Sequence, residues 1–166
     1  KLDKKYSFLV TFHPVTLEKS TAGEQIDQLL EAIDNIDDCN IIFTKSNSDT
    51  DGRIINKRID EYVKNNPNKS VCFTSLGQLR YLSALKYVDC VIGNSSSGLI
   101  EVPSFKTATV NIGDRQRGRI FGDSVISCSS NTEDIEKAIK KSISSDFKEC
   151  VLSGAKNPYG NGNSSD

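Results

Sequence analysis

Apolar residues along this chain fall into two periods that alternate. Short runs at Tyr6-Ser-Phe-Leu-Val-Thr-Phe12, Asn40-Ile-Ile-Phe-Thr44, Ser70-Val-Cys-Phe-Thr74 and Cys90-Val-Ile92 read as strands, and Thr107-Ala-Thr-Val-Asn111 and Ser124-Val-Ile-Ser127 as two more. Between them the spacing turns helical. Residues 21–36 place Ile26, Leu29, Leu30 and Ile33 on one face, with Ser20 or Thr21 as a cap. After a polar turn over Ser46 to Gly52, a second helix aligns Ile55, Ile59, Tyr62 and Val63. A third, from Gly77 to Tyr87, presents Leu79, Leu82 and Leu85, and a last one carries Ile135, Ile139 and Ile143. Six strand signals separated by helices predict an α/β fold with a parallel, doubly wound sheet. Ligands of such sheets bind beyond the carboxyl ends of the strands, where His13, Asn47, Ser95 and Arg115 fall.

The chemistry is concentrated in Asp89-Cys-Val-Ile-Gly-Asn-Ser-Ser-Ser-Gly98-Leu-Ile-Glu-Val102, an apolar strand running into a small polar loop that opens onto a predicted helix. Asn94, Ser95, Ser96 and Ser97 offer hydroxyl and amide donors, and Gly98 lets backbone approach a ligand. The helix start adds unpaired N–H groups and the positive end of its dipole, so the loop predicts a phosphate site. Further on, Asn111-Ile-Gly-Asp-Arg-Gln-Arg-Gly-Arg119 supplies guanidinium groups that neutralise phosphate. Together the two loops read as a nucleotide or sugar-nucleotide pocket. Serine-rich loops are ordinarily plain turns, and a histidine after a strand is ordinarily a surface residue; the flanking strand, helix and arginine loop are what favour ligand contact here. Arg117 and Arg119 read as solvated surface charge and stay outside the predicted site.

Composition narrows the partners. The 166 residues suit one domain with a substantial core. A formal charge of −1, from 21 basic and 22 acidic residues, gives no global attraction to nucleic acid or an anionic membrane. No apolar run approaches a membrane span and no signal-peptide pattern follows Lys1-Leu-Asp-Lys-Lys5, so a cytoplasmic location is expected. Five widely spaced cysteines, an odd number lying in or beside apolar strands, read as buried thiols, with neither a metal site nor a cofactor expected. Gly-x-Ser-x-Gly is missing, because Gly93 and Gly98 are wrongly spaced and the one histidine lies upstream, which argues against a serine hydrolase. Neither Gly-x-Gly-x-x-Gly after the first strand nor a Walker A motif is present, which disfavours a dinucleotide-binding oxidoreductase and a P-loop enzyme.

Four motifs in order carry a resemblance: Val10-Thr-Phe-His-Pro-Val-Thr16; Ser75-Leu-Gly-Gln-Leu79 through Gly93-Asn-Ser-Ser-Ser-Gly98 with Glu101; Asn111 to Arg119; and Asn157-Pro-Tyr-Gly160. They resemble the carboxyl-terminal half of UDP-N-acetylglucosamine 2-epimerases, nearest the hydrolysing branch of sialic acid biosynthesis, which releases N-acetylmannosamine and UDP. The resemblance implies one Rossmann-like half of a GT-B fold, with residues 1–156 as the UDP-binding, carboxyl-terminal domain and 157–166 as a loose tail. It implies that an amino-terminal domain of the same enzyme, bearing the principal catalytic carboxylates, is absent from the chain, and that the isolated chain binds but hardly turns over.

Residue by residue, the resemblance makes His13 the catalytic group of this half, facing the sugar-phosphate region. Asn47 would help hold UDP, in a loop where Ser46 replaces the proline of many relatives. Leu76 would lie beside the uracil, Ser95, Ser96 and Gly98 would form the diphosphate loop, Glu101 would hold the ribose hydroxyls and Arg115 would contact UDP. A carboxylate can accept from both hydroxyls of a ribose diol, and guanidinium offers phosphate a rigid fork of donors; Glu101 would also favour a helix N-terminus without any ligand. UDP-N-acetylglucosamine or UDP is the expected ligand, and homo-oligomerisation stays open. The same fold and pocket also suit a GT-B UDP-sugar glycosyltransferase or a non-catalytic sugar-nucleotide-binding module.

Overall fold

The computed structural model describes residues 5–13, 22–45, 50–74, 76–95, 102–105, 107–113 and 122–150. Strands β1 (Tyr6–Thr11), β2 (Cys39–Thr44), β3 (Ser70–Phe73), β4 (Cys90–Gly93), β5 (Ala108–Ile112) and β6 (Val125–Cys128) form one sheet in the order β3-β2-β1-β4-β5-β6. Every pairing is parallel. This is the Rossmann order, in which the chain returns to the centre after β3 and builds outward again from β4. The helices are α1 (Ala22–Asp34), α2 (Thr50–Asn65), α3 (Gly77–Leu85), α4 (Thr132–Ser142) and α5 (Ser145–Cys150), with a 3₁₀ turn at Val102–Phe105.

Both faces of the central strands are buried, which is why their sequences are almost continuously apolar. Phe8 and Val10 of β1, Ile41 and Phe43 of β2, Ile92 of β4 and Val110 of β5 point to one face. There they meet Ile26, Leu29 and Ile33 of α1, Ile55 and Ile59 of α2 and Ile135 and Ile139 of α4. Leu9 and Val91 point to the other face and pack with Leu85, Val88 and Val102. The side-chain period of two along a strand separates the sets, so a one-residue slip of β1 would exchange them.

The predicted doubly wound sheet is therefore observed, with three local differences. Leu79, expected on the apolar stripe of α3, is 80% exposed. At 3.6 residues per turn it lies about 120° around the helix from buried Leu85. Gly52, expected in a turn, sits buried inside α2, which starts at Thr50. One glycine costs a helix about 1 kcal/mol, less than the burial of Ile55, Ile59 and Tyr62 returns. Helix α5 has no counterpart among the predicted elements; Phe147 buries it against the core, and Lys148 reaches Asp89 at 3.2 Å.

Candidate functional site

The strand order reverses between β1 and β4, and the loops leaving these two strands flank the crevice. Strand register sets the platform. Thr11 stands opposite Thr44 on one side and Gly93 on the other, Gly93 opposite Asn111, and Thr44 opposite Phe73. Thr11, Thr44, Phe73 and Gly93 end their strands at one level, with β5 running one residue further to Ile112, and the predicted site residues follow shortly after each. Leu76 comes after β3, Asn47 after β2, His13 after β1, Ser95 after β4 and Arg115 after β5. Crossover helices run back against a parallel sheet, so α1, α2, α3 and α4 begin at this edge and turn the positive ends of their dipoles toward it. At the usual interstrand spacing, the ends of β3 and β4 lie about 14 Å apart, a span that suits an extended nucleoside diphosphate.

The centre of this edge is tightly made. Hydroxyl groups of Thr11 and Thr44 hydrogen-bond at 2.6 Å. Gly93 has φ 147°, and a Cβ there would sit 1.8 Å from the Thr11 carbonyl oxygen, so only glycine closes the strand pair this way. The Asn94 N–H donates to the Thr11 carbonyl at 3.3 Å. Beyond that the Asn94 side chain takes over: its Oδ1 accepts from the His13 N–H at 2.8 Å, and its Nδ2 donates to the His13 carbonyl at 2.9 Å. Asn94 is 1% exposed. The sequence placed Asn94 among the ligand donors; the structure instead turns its amide into the protein, onto His13.

His13 and Ser95 are both half-buried and stand on the two loops that Asn94 joins. Leu76 is half-buried at the start of α3 and packs on the cluster of Leu9, Leu85 and Val91, with Gly77 after it at φ 71°. Asn47, Ser96, Gly98, Glu101 and Arg115 lie outside the described residues, as do Ser97 and the start of the helix expected after the serine loop. The described continuation of that segment is the 3₁₀ turn Val102–Phe105, anchored by fully buried Val102.

Of the cysteines, Cys39 and Cys90 are buried and Cys72 and Cys128 half-buried, all with free thiols, while the Cys150 side chain is not among those described. Burial pushes the Cys90 and Cys128 thiols up to about 12, so they are protonated at neutral pH and poor nucleophiles. Among the described residues no group of three or more His, Cys, Asp or Glu side chains could hold a metal ion. No described helix is long and apolar enough to cross a membrane. A cavity of about 340 Å³ opens at the opposite, amino-terminal edge of the sheet, lined by Asp34, Asp37, Asp38, Cys39, Asn66 and Lys69 among others. Its carboxylates make it a poor host for a diphosphate.

Comparison with known proteins supplies the family. The family model described as UDP-N-acetylglucosamine 2-epimerase matches residues 1–166. The chain is 42% identical over 149 residues to the GDP/UDP-N,N'-diacetylbacillosamine 2-epimerase (hydrolyzing) of Campylobacter jejuni, covering 90% of this chain and 38% of that protein. It is 43% identical over 157 residues to the polysialic acid biosynthesis protein P7 of Escherichia coli, covering 94% and 39%. The chain thus spans about two fifths of the length of these curated relatives. The crystal structure of UDP-GlcNAc 2-epimerase from Neisseria meningitidis bound to UDP-GlcNAc superimposes with a TM-score of 0.68 at 17% identity, over 98% of this chain and 42% of that one, a likeness of fold. With four motifs, a Rossmann-ordered sheet and a match along its whole length, the chain belongs to the UDP-N-acetylglucosamine 2-epimerase family.

Proposed function

We propose that this chain is the UDP-binding half of a hydrolysing UDP-N-acetylglucosamine 2-epimerase, which converts UDP-N-acetylglucosamine and water to N-acetylmannosamine and UDP. The observation that carries the reading is the joined pair of loops at the switch point, His13 on one side and the serine loop on the other, in a chain 42% identical to a relative named as hydrolyzing. Residues 1–156 form the nucleotide-binding domain, 157–166 its tail, and the remaining length of the relatives corresponds to an amino-terminal domain that completes the cleft. The protein works in the cytoplasm.

In the proposed reaction a base on the other domain removes the proton from carbon 2 of the sugar. UDP leaves from carbon 1 with the bonding electrons, giving a glycal-like intermediate, and water adds at carbon 1 while carbon 2 is reprotonated on the opposite face. Charge grows on the diphosphate as it departs, so donors fixed beforehand around it lower the barrier. Ser95, Ser96, Gly98 and Arg115 meet that charge, Glu101 holds the ribose, Leu76 flanks the uracil and Asn47 helps to hold UDP. His13 faces the sugar-phosphate junction, where an imidazole can exchange a proton near neutrality.

Calorimetric titration of the chain with UDP, against an adenine nucleotide, tests the pocket. Saturable binding of UDP alone is expected, weakened by more than about 1 kcal/mol in Arg115→Ala and in Glu101→Gln, the scale of one charge-assisted hydrogen bond. Unchanged affinity in both variants removes them from the site. The full-length protein is then assayed for release of N-acetylmannosamine. A second substrate is favoured by the name of the Campylobacter relative, so UDP-N,N'-diacetylbacillosamine is offered in parallel. Sugar transfer to an acceptor without change at carbon 2 would instead identify a glycosyltransferase.

A further inference from the structure

We infer that Asn94 is a positioning residue for His13, its side-chain amide holding the backbone that carries the imidazole; this rests on the role of His13 proposed above. His13 lies beyond the last ladder residue of β1, and the β4 backbone ends its own pairing at Gly93. On the β4 side the backbone ladder therefore stops at Thr11 and Gly93, short of His13. The Asn94 side chain fills that place as a surrogate peptide group. It presents a carbonyl oxygen to the His13 N–H at 2.8 Å and an amide N–H to the His13 carbonyl at 2.9 Å. Only one orientation of the amide satisfies both bonds, and only asparagine, among side chains of this length, offers donor and acceptor side by side.

Burial makes the clamp stiff. At 1% exposure the amide has little water to turn to, so losing its protein partners would leave desolvated polar groups on both sides. Gly93 and the Asn94 N–H fasten the same loop to Thr11, drawing the β4 loop against β1 closer than any residue with a Cβ allows. Ser95 follows directly. The histidine loop and the start of the serine loop therefore form one unit, and Asn94 sets where the imidazole stands relative to a ligand on the serines. Misplacement of a reacting group by about 1 Å can cost a hundredfold in rate, which is the scale at which such a clamp acts.

The test is a double-mutant cycle in the full-length protein. Asn94→Ala should lower kcat at least about tenfold, as misplacement of a reacting group does, with UDP affinity changed less than about threefold. His13→Ala should lower kcat at least as far, and the double variant should be no worse than His13→Ala alone, because both act through one imidazole. In the 166-residue chain His13 is the only histidine, so its imidazole carbon-bound proton resonances should shift or split in Asn94→Ala while the rest of the spectrum stays dispersed. If Asn94→Ala does not fold, Asn94→Asp, of nearly the same size, replaces the donor to the His13 carbonyl with a carboxylate oxygen and should still lower kcat, with the loss again absent on a His13→Ala background. Wild-type kcat in the folded Asn94 variant, with His13→Ala inactive, or losses that simply add in the double variant, would overturn the positioning role while leaving His13 in place. An active His13→Ala would overturn both readings.

Discussion

The two edges of the sheet both carry polar groups, but they use them in opposite ways. At the amino-terminal edge, side chains tie elements together. Asp34 accepts from the Tyr62 hydroxyl at 2.6 Å and pairs with Lys69 at 3.4 Å. Asp89 accepts from the Ser7 N–H at 2.8 Å and pairs with Lys148. At the carboxyl-terminal edge the shape comes from what is missing or turned inward: no Cβ at Gly93, and an Asn94 amide bound to His13. Helix C-termini and aspartates face one way, helix N-termini the other, so the field favours cations at the first edge and anions at the second. The lesson is that concavity does not locate the site. The cavity lined by Asp34, Asp37 and Asp38 is concave, yet its charge is wrong for a diphosphate.

The largest effect that would break this comparison is at Gly93. Gly93→Ala puts a methyl group 1.8 Å from the Thr11 carbonyl oxygen at a positive φ, and should destabilise the chain by at least about 3 kcal/mol in denaturant unfolding. Gly113, on the same edge at φ 76°, has nothing within 4 Å of the place a Cβ would take, so Gly113→Ala should cost only the backbone strain, about 1–2 kcal/mol. Equal costs at the two sites would mean that the close approach of β4 to β1 contributes nothing.

How far these features can be read from sequence follows the distance over which they are built. Strand limits fall within about a residue of expectation because apolar runs and their polar ends are local signals. The stripe of α3 fails at Leu79 because a nine-residue helix packs through a narrow arc, and which of its three leucines fall inside it depends on the sheet beneath. His13 and Ser95 are legible as strand-end residues, and the structure brings them onto joined loops, whereas Leu76 enters only through the family resemblance. The role of Asn94 was not legible. Its partner is 81 residues away, and a polar residue in a serine-rich loop looks the same whether its amide faces a ligand or the protein. One signal did exist: a glycine ending a buried parallel strand marks a close backbone approach, which asks what the next side chain touches.

A smaller effect sharpens the comparison from the amino-terminal side. Tyr62 is 8% exposed, meets Phe43 edge-on at 5.6 Å between ring centroids, and donates to Asp34. Tyr62→Phe keeps the ring contact and loses the hydrogen bond, so stability should fall by about 1 kcal/mol, the net worth of such a bond to a half-exposed carboxylate. UDP affinity, measured in the same preparation, should not move. A weaker UDP complex in Tyr62→Phe would show that the two edges are coupled through α2 and β2, and the division drawn between them would fail.

The smallest expected effect belongs to the carboxyl-terminal edge at its outer end, where α4 begins after β6. Asn131 caps that helix, its Oδ1 accepting from the Asp134 N–H at 2.8 Å, and the Asp134 carboxylate accepts in return from Ser129 Oγ at 2.6 Å and Asn131 Nδ2 at 3.0 Å. The bond from Ser129, then that from Asn131, holds the Asp134 carboxyl below its ordinary value. A carboxyl group whose pKa is lower folded than unfolded binds protons more readily unfolded, so its contribution is present in full above the unfolded pKa and is lost as pH falls through the folded one. Wild-type stability should therefore drop on acidification below the usual carboxylate range, and Ser129→Ala should be slightly less stable at neutral pH with a shallower acid limb. The two unfolding curves should converge once Asp134 is protonated in both states. A Ser129→Ala deficit that stays constant down to that pH would mean the serine contributes through packing alone, and the positively polarised edge of the sheet would have no measurable hold on its own carboxylate.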